Sequence, residues 1–317
     1  NYRKEKGFDI VATFEFQSEW DTTITYQIEG QSRWDYEVRS IDAEKLFTKT
    51  VVEEDEAKEK LLSEVYLEFT TTSSNIFKEI TIPSHIQMMV IAGENNRYAN
   101  VNFVIAERQS PLRIVFVNFY WYYREEGISY SGNERIIFDV NGHCEMRGTY
   151  NVYSTAINIP VLTILGNQSN DAFILKAAAG SDAPLVVNEG DASSGDYGIR
   201  TTNIVLDIKS LEIYAGAGGQ GCTVRRNESG TGNGQDGGKG GNGGIALFLS
   251  YEHSINVSEI SNIKLVGGDG GDGGDGHNGK NGGEQLWLEP GANPNANKGG
   301  RGGDGGDGGI GGSGCNM

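Results

Sequence analysis

The chain has 317 residues and a formal net charge of −17, with 37% hydrophobic and 22% charged residues. This hydrophobic content excludes a wholly disordered chain. No run of 18 apolar residues is present, so the sequence predicts no transmembrane helix and no membrane insertion. The acidic balance disfavours nucleic acid as a partner, because such binding depends on Lys and Arg.

Residues 1–75 are predicted to form a small α+β N-terminal unit. Residues 8–16 and 22–28 have the β-branched and aromatic composition of strands. Residues 53–64 are rich in Glu, Lys, Ala and Leu and contain neither Gly nor Pro. Ala57, Leu61 and Val65 recur at steps of four, which predicts one helix over Glu53–Glu64.

Residues 76–215 are predicted to form a stacked β-solenoid of the β-helix type. Short apolar runs recur along this stretch, separated mostly by Gly, Asn, Asp and Ser, with little helical periodicity between them. The dipeptides Gly132-Asn133 and Asn141-Gly142 are hairpin signals, and they favour the alternative of a β-sandwich followed by a glycine-rich tail.

Residues 216–317 carry a glycine-rich array interleaved with strands, and 35 of the 47 glycines lie at or beyond Leu211. The repeat is Gly-Gly-X, without the proline of collagen. A period of three is typical of a threefold extended helix, here polyglycine II, whose bare faces allow backbones to hydrogen bond to each other. We expect the X side chains to point outward, in particular those of Asp269, Asp272, Asp275, Arg301, Asp304 and Asp307.

The order of strand, glycine block and strand resembles the glycine-rich β-helical regions of large bacterial cell-surface adhesin-like proteins. The blocks GGDGGDGGDG and GGKGGNGG also resemble the polyglycine II segments of phage tail-tip adhesins and of a small insect antifreeze protein. The resemblance covers about residues 160–317. It implies a non-catalytic extracellular structural or adhesive protein, secreted or held at the cell surface, including a filament subunit.

Two other functions stay open at this stage. One is a carbohydrate-binding or carbohydrate-cleaving β-helix protein, for which Glu107 with Arg108 is one conceivable catalytic pair. The other is an ice-binding protein. The four histidines have no metal-ligand spacing and no nucleophile or phosphate-loop motif occurs, so we expect no enzyme. The expected partners are further copies of the chain, or a glycan or protein on a cell surface.

Three candidate sites follow from the residues, and no cofactor is expected other than calcium. The aspartates 269, 272 and 275 form one column, and a facing column of Asp304 and Asp307 supplies further oxygens for a calcium site. The densest aromatic run is predicted to bind a ligand through one strand face, formed by Phe119, Trp121 and Tyr123. Cys222 and Cys315 flank the glycine-rich zone and are a candidate disulfide.

Overall fold

In the computed structural model, the helices and strands assigned to the described residues are all strands. The structure describes the backbone of residues 10–16, 22–28, 34–37, 48–53 and 56–61. It further describes residues 63–69, 78–93, 98–150, 154–183, 191–222, 236, 238–257, 262–275, 304–305, 307–313 and 315–316. We number the strands in chain order.

The N-terminal region contains strands only, among its described residues. Strands β1 (Ile10–Phe16), β2 (Thr22–Ile28) and β3 (Trp34–Glu37) form an antiparallel meander. Strands β4 (Thr48–Glu53) and β5 (Glu56–Leu61) form an antiparallel hairpin.

The helix predicted over Glu53–Glu64 is therefore wrong. The β-branched run of β4 offers a pairing partner, and Val51 lies opposite Lys58 across the hairpin. Pairing with a neighbouring strand overrides the weak helix preference of the Glu, Lys and Ala residues in β5.

From β6 onward the chain winds as a β-solenoid with three parallel sheets. Sheet I stacks β6 (Glu64–Phe69), β8 (Met88–Gly93), β10 (Leu112–Val117), β13 (Ile136–Asn141), β16 (Val161–Gly166) and the C-terminal parts of β18 (Tyr197–Ile208) and β20 (Leu247–Val257). Sheet II stacks β7 (Lys78–Ile82), the C-terminal part of β9 (Tyr98–Ile105), β12 (Ile128–Ser129), β15 (Thr155–Asn158), the N-terminal parts of β18 and β20, and β22 (Cys315–Asn316). Sheet III stacks the N-terminal part of β9, β11 (Tyr120–Arg124), β14 (His143–Tyr150), β17 (Ala172–Lys176), β19 (Ser210–Tyr214) and β21 (Asn262–Val266).

The parallel pairing confirms the solenoid and contradicts the sandwich alternative, whose sheets are antiparallel. Asn141-Gly142 does not open a hairpin. It forms the corner between β13 in sheet I and β14 in sheet III, and Gly142 takes a φ of 77° there. Glycine adopts this left-handed conformation without the steric cost that a side chain adds.

The core runs along the solenoid axis. Alternate side chains of each strand point inward and stack on those of the coil below. The ring centroids of Phe116 and Trp121 lie 5.2 Å apart, and those of Phe119 and Trp121 lie 4.8 Å apart. All three side chains are fully buried. Burial of each such aromatic side chain contributes about 1.5–3 kcal/mol.

The long insertions of successive coils lie at one corner, between sheet III and sheet II. Leu112 stacks on Ile136, whereas Ile204 stacks on Ile255 much further along the chain. The additional residues leave sheet III after β17, β19 and β21, and they return to sheet II at β18, β20 and β22. The division of the chain at residues 75 and 215 stays a prediction. Strand β6 pairs with both β1 and β8, and β19 pairs with β21.

Candidate functional site

The glycine segments form two columns beside the solenoid. We call residues 177–183, 215–222 and 267–275 the outgoing column, because each segment leaves sheet III. Residues 191–196, 238–246 and 307–313 form the returning column, which leads into sheet II. Each coil thus adds one layer, consisting of one outgoing and one returning segment.

Hydrogen bonds between these segments repeat every three residues. In the second layer, the N–H groups of Gly218 and Gly221 donate to the carbonyls of Asp269 and Asp272 in the third, both at 2.8 Å. The N–H of Gly219 donates to the carbonyl of Ser193 in the returning column at 3.0 Å. Two of every three N–H groups therefore bond to the backbone of a neighbouring segment.

The close approach of these backbones explains why the repeat contains glycine. A Cβ atom added at Gly218 would lie 1.8 Å from the carbonyl oxygen of Gly241, and one at Gly271 would lie 1.8 Å from that of Gly219. No other residue fits at these two positions without displacing backbone.

The X side chains bond to the remaining N–H groups, and this role was missed from the sequence. Asp182 Oδ1 accepts a hydrogen bond from the N–H of Gln220 in the next layer at 2.8 Å. Asn242 Oδ1 accepts one from the N–H of Ile310 at 2.9 Å. The available signal was the preference for Asp, Asn and Ser at X, since these short side chains readily accept hydrogen bonds from nearby backbone N–H groups.

The five aspartates of the calcium prediction are exposed on the third layer. Among the described residues, no group of three or more His, Cys, Asp and Glu side chains is placed to hold a metal ion. Arg301 lies outside the described residues. The calcium site stays a prediction.

Cys222 and Cys315 are not joined by a disulfide. The Cys222 carbonyl accepts a hydrogen bond from Gly238, whereas Cys315 pairs with Leu247 in sheet II. The nine residue-to-residue steps from 238 to 247 extend over about 28 Å at a rise of about 3.1 Å per residue. The predicted bridge is wrong because the two cysteines lie at opposite ends of the segment.

The predicted aromatic ligand face points into the core. Phe119, Trp121 and Tyr123 are fully buried, so their rings cannot stack on a ligand from solution, and this prediction is wrong. The Tyr123 hydroxyl accepts a hydrogen bond from the N–H of Ala178, where the first glycine segment leaves sheet III. Alternation within β11 places Tyr120 and Tyr122 on the opposite, outer face.

That outer face of sheet III is the second candidate site. Its side chains form two columns that run across the strands. One contains Tyr98, Tyr120, Glu145, Ile174, Glu212 and Lys264, and the other contains Asn100, Tyr122, Arg147, Lys176, Tyr214 and Val266. The rings of Tyr98 and Tyr122 stack with centroids 4.6 Å apart, and the Arg147 guanidinium lies 5.0 Å from the Tyr98 centroid.

Glu145 anchors the charged part of this face. Its buried carboxylate accepts from Arg147 Nε at 2.6 Å and from Lys176 Nζ at 2.8 Å. Burial raises the pKa of Glu145, but the hydrogen bonds from Arg147, Lys176 and Tyr98 outweigh it and hold the pKa below its usual range. The carboxylate therefore stays ionised and fixes both cations. Sequence reasoning missed these residues, although the alternation of Glu145 and Arg147 in β14 places them on one face.

A buried carboxyl group lies where the first glycine layer joins the solenoid. Asp196 is fully buried, and its Oδ1 accepts a hydrogen bond from the N–H of Ser154 at 2.8 Å. Burial raises the pKa of Asp196 to about 6, although this hydrogen bond lowers it. The group is therefore sensitive to mildly acidic pH.

Comparisons of the chain with protein-family models, curated proteins and solved structures find no match. Among the described residues, no helix has the length and apolar character needed to cross a membrane. Arg108, considered above for catalysis, is buried and donates to the carbonyls of Ile86 and Pro83 at 2.9 and 2.7 Å. These contacts hold a turn of the solenoid together.

Proposed function

We propose that this chain is a non-catalytic extracellular structural or adhesive protein whose glycine segments form a polyglycine II array. The observation that carries the proposal is the period-three hydrogen bonding between glycine segments, with the X side chains on the outside. Such an arrangement fixes the backbone while leaving one side chain in three available for display.

Rigidity follows from the hydrogen bonds between layers. A flexible glycine linker loses more conformational entropy on ordering than any other sequence, so its backbone stays ordered only where many hydrogen bonds offset that loss. Here each interior segment bonds to neighbours in its own column and in the other. A stiff, acidic surface element of this kind suits a protein that is secreted or held on a cell surface.

Limited proteolysis and surface binding together test the proposal. The expected result is that a nonspecific protease leaves residues 215–222 and 238–246 intact under conditions that cut an unstructured glycine peptide. The labelled protein is also expected to bind a cell surface or a surface-derived glycan or protein. Rapid cleavage within these segments, together with no binding to any surface tested, would overturn the proposal.

End-to-end assembly is a second candidate, and the last described coil favours it. Ile255 and Val257 of β20 stack on Ile204 and Leu206 of the coil before, which are buried, yet Val257 is 49% exposed. Apolar core positions and strand edges that no further described coil covers are typical of surfaces that pair with another chain. A filament subunit would cover them with a neighbouring copy.

Substitution of this end tests the assembly. Val257→Lys is expected to keep the protein monomeric at concentrations where the parent associates, as measured by sedimentation velocity. Ile137→Lys is the matched control, because Ile137 is a partly exposed apolar residue of β13 in the middle of the solenoid, away from that end. A parent protein that stays monomeric at all concentrations would contradict the assembly.

A further inference from the structure

We propose that the outer face of sheet III binds a linear acidic polysaccharide, along the line formed by Tyr122, Arg147, Lys176 and Tyr214. This inference rests on the proposed adhesive function and names the chemical class of its partner. It assigns binding to the face opposite the buried row of Phe119 and Trp121.

The first argument is geometric. These four residues occupy equivalent positions in β11, β14, β17 and β19, so each coil contributes one side chain to the line. Neighbouring strands lie about 4.8 Å apart, and the line from Tyr122 to Tyr214 therefore spans about 14 Å. A polymer that repeats one anionic unit meets a regular series of side chains along such a line.

The second argument concerns charge. The Arg147 and Lys176 side chains are 38% and 43% exposed, although Glu145 holds one nitrogen of each. The terminal guanidinium nitrogens of Arg147 donate no hydrogen bond to another described residue, so this fork is able to bind a carboxylate in a bidentate manner. In a chain of net charge −17, two ordered cations side by side are a local feature that complements an anion.

Further hydrogen bonds on this face engage its other acidic side chain, that of Glu212. The Tyr214 hydroxyl donates to Glu212 at 2.5 Å, and Lys264 Nζ donates to the Tyr214 hydroxyl at 2.9 Å. Lys264 is exposed and lies 4.9 Å from the centre of the Tyr214 ring. Both carboxylates of this face are thus engaged by donors, while its cations retain donors for a ligand.

The third argument concerns the aromatic ends of the line. Tyr122 and Tyr214 bracket the two cations and are half-buried. Tyrosine offers an apolar ring together with a hydroxyl, which suits the mixed apolar and hydroxyl surface of a sugar. Ordered tyrosines beside ordered cations favour a saccharide acid over a simple inorganic anion.

The binding test uses polygalacturonate as the probe and neutral dextran as the comparison polymer, with affinity measured by titration calorimetry. Polygalacturonate is expected to bind and dextran is not. Lys176→Gln is expected to weaken binding roughly tenfold, the effect of losing one charge-assisted contact. Lys239→Gln is the matched control, because it removes the same charge from an exposed position in the returning column; its affinity is expected to stay that of the parent.

Glu145→Gln separates a built site from general electrostatic attraction. The substitution makes the face more positive, so attraction alone predicts tighter binding. The proposal predicts weaker binding, because the neutral amide no longer fixes Arg147 and Lys176. Thermal unfolding and circular dichroism of the variant check that the fold is kept, and Lys264→Gln, at an exposed position, supplies a second variant that does not disturb the core.

Several outcomes would overturn the inference. Equal binding of single-stranded DNA or of poly-glutamate would show general attraction to polyanions, and equal losses in Lys176→Gln and Lys239→Gln would show that no line exists. If the parent binds a cell surface but not polygalacturonate, the inference fails while the adhesive function stands. If the parent binds neither, both fail.

Discussion

At the scale of single residues, the glycines of the repeat matter because their missing side chains let neighbouring backbones approach closely. Interior glycines such as Gly243 lie against backbone atoms of two neighbouring segments, whereas a Cβ at Gly311 on the outermost layer would meet only one atom, 3.9 Å away. The two positions have the same place in the repeat but a different number of neighbours. Position within the array therefore decides what a substitution does.

This contrast leads to a prediction on stability. Gly243→Ala is expected to lower the free energy of unfolding by about 1–3 kcal/mol or more, because the methyl group forces the backbones apart. Gly311→Ala is expected to change it by less than about 0.5 kcal/mol. Urea denaturation of both variants checks this, and equal losses would contradict the close packing of the interior segments.

A second prediction at this scale concerns Asp196 and pH. Its pKa is about 6 in the folded protein and about 3.9 in an unfolded chain. Below pH 4 both states hold the proton, and as the pH rises from about 4 to 6 only the unfolded state releases it, so stability falls. Asp196→Asn is expected to remove this loss and to gain about 1–2 kcal/mol relative to the parent at pH 7.5. Thermal unfolding at pH 4 and pH 7.5 measures the difference, and parallel curves for the two proteins would contradict it.

At the scale of elements, each layer of glycine segments is linked to the next by X side chains as well as by backbone. The carboxylate of Asp182 in the first layer accepts from Gln220 in the second. Asp272 in the third layer occupies the equivalent position, but its side chain accepts no hydrogen bond from another described residue. The same residue type thus has a structural role inside the array and an exposed one at its outer layer.

Substitution of these two aspartates separates the roles. Asp182→Ala is expected to cost about 0.5–1.5 kcal/mol, the net contribution of one hydrogen bond. Asp272→Ala removes the same charge and is expected to be nearly neutral. The measurement is the midpoint of thermal unfolding for each variant, and an equal effect of the two substitutions would show that side chains do not link the layers.

Sequence patterns predicted which segments form strands better than they predicted which segments pair with each other. Apolar runs such as residues 204–208 and 211–214 predicted strands correctly, because burial on the inner face requires apolar side chains at alternate positions. Alternation alone placed Trp121 and Tyr122 on opposite faces of the strand, but it did not show which face points into the core. The helix predicted over Glu53–Glu64 failed for a related reason, since pairing with β4 depends on residues outside that window.

At the scale of the whole molecule, one axis organises both parts. Each of the last three coils of the solenoid sets the height of one glycine layer, because the outgoing segment starts where a sheet III strand ends and the returning segment leads into a sheet II strand. The outer face of sheet III and the outgoing column consequently form one continuous surface. The proposed polysaccharide line lies at the base of this surface, with the exposed aspartates further out.

The position of the glycine segments at one corner of the solenoid has a consequence for how such a chain changes length. Removing or adding one Gly-Gly-X unit in an outgoing segment, together with one in its returning partner, keeps the remaining units in phase with the neighbouring layers and leaves the three sheets untouched. A change of one or two residues shifts the phase of the repeat and places side chains where glycine is required. Length variants of this protein that fold are therefore expected to differ by multiples of three residues in each segment. The array can then become longer or shorter without any change to the solenoid that carries it.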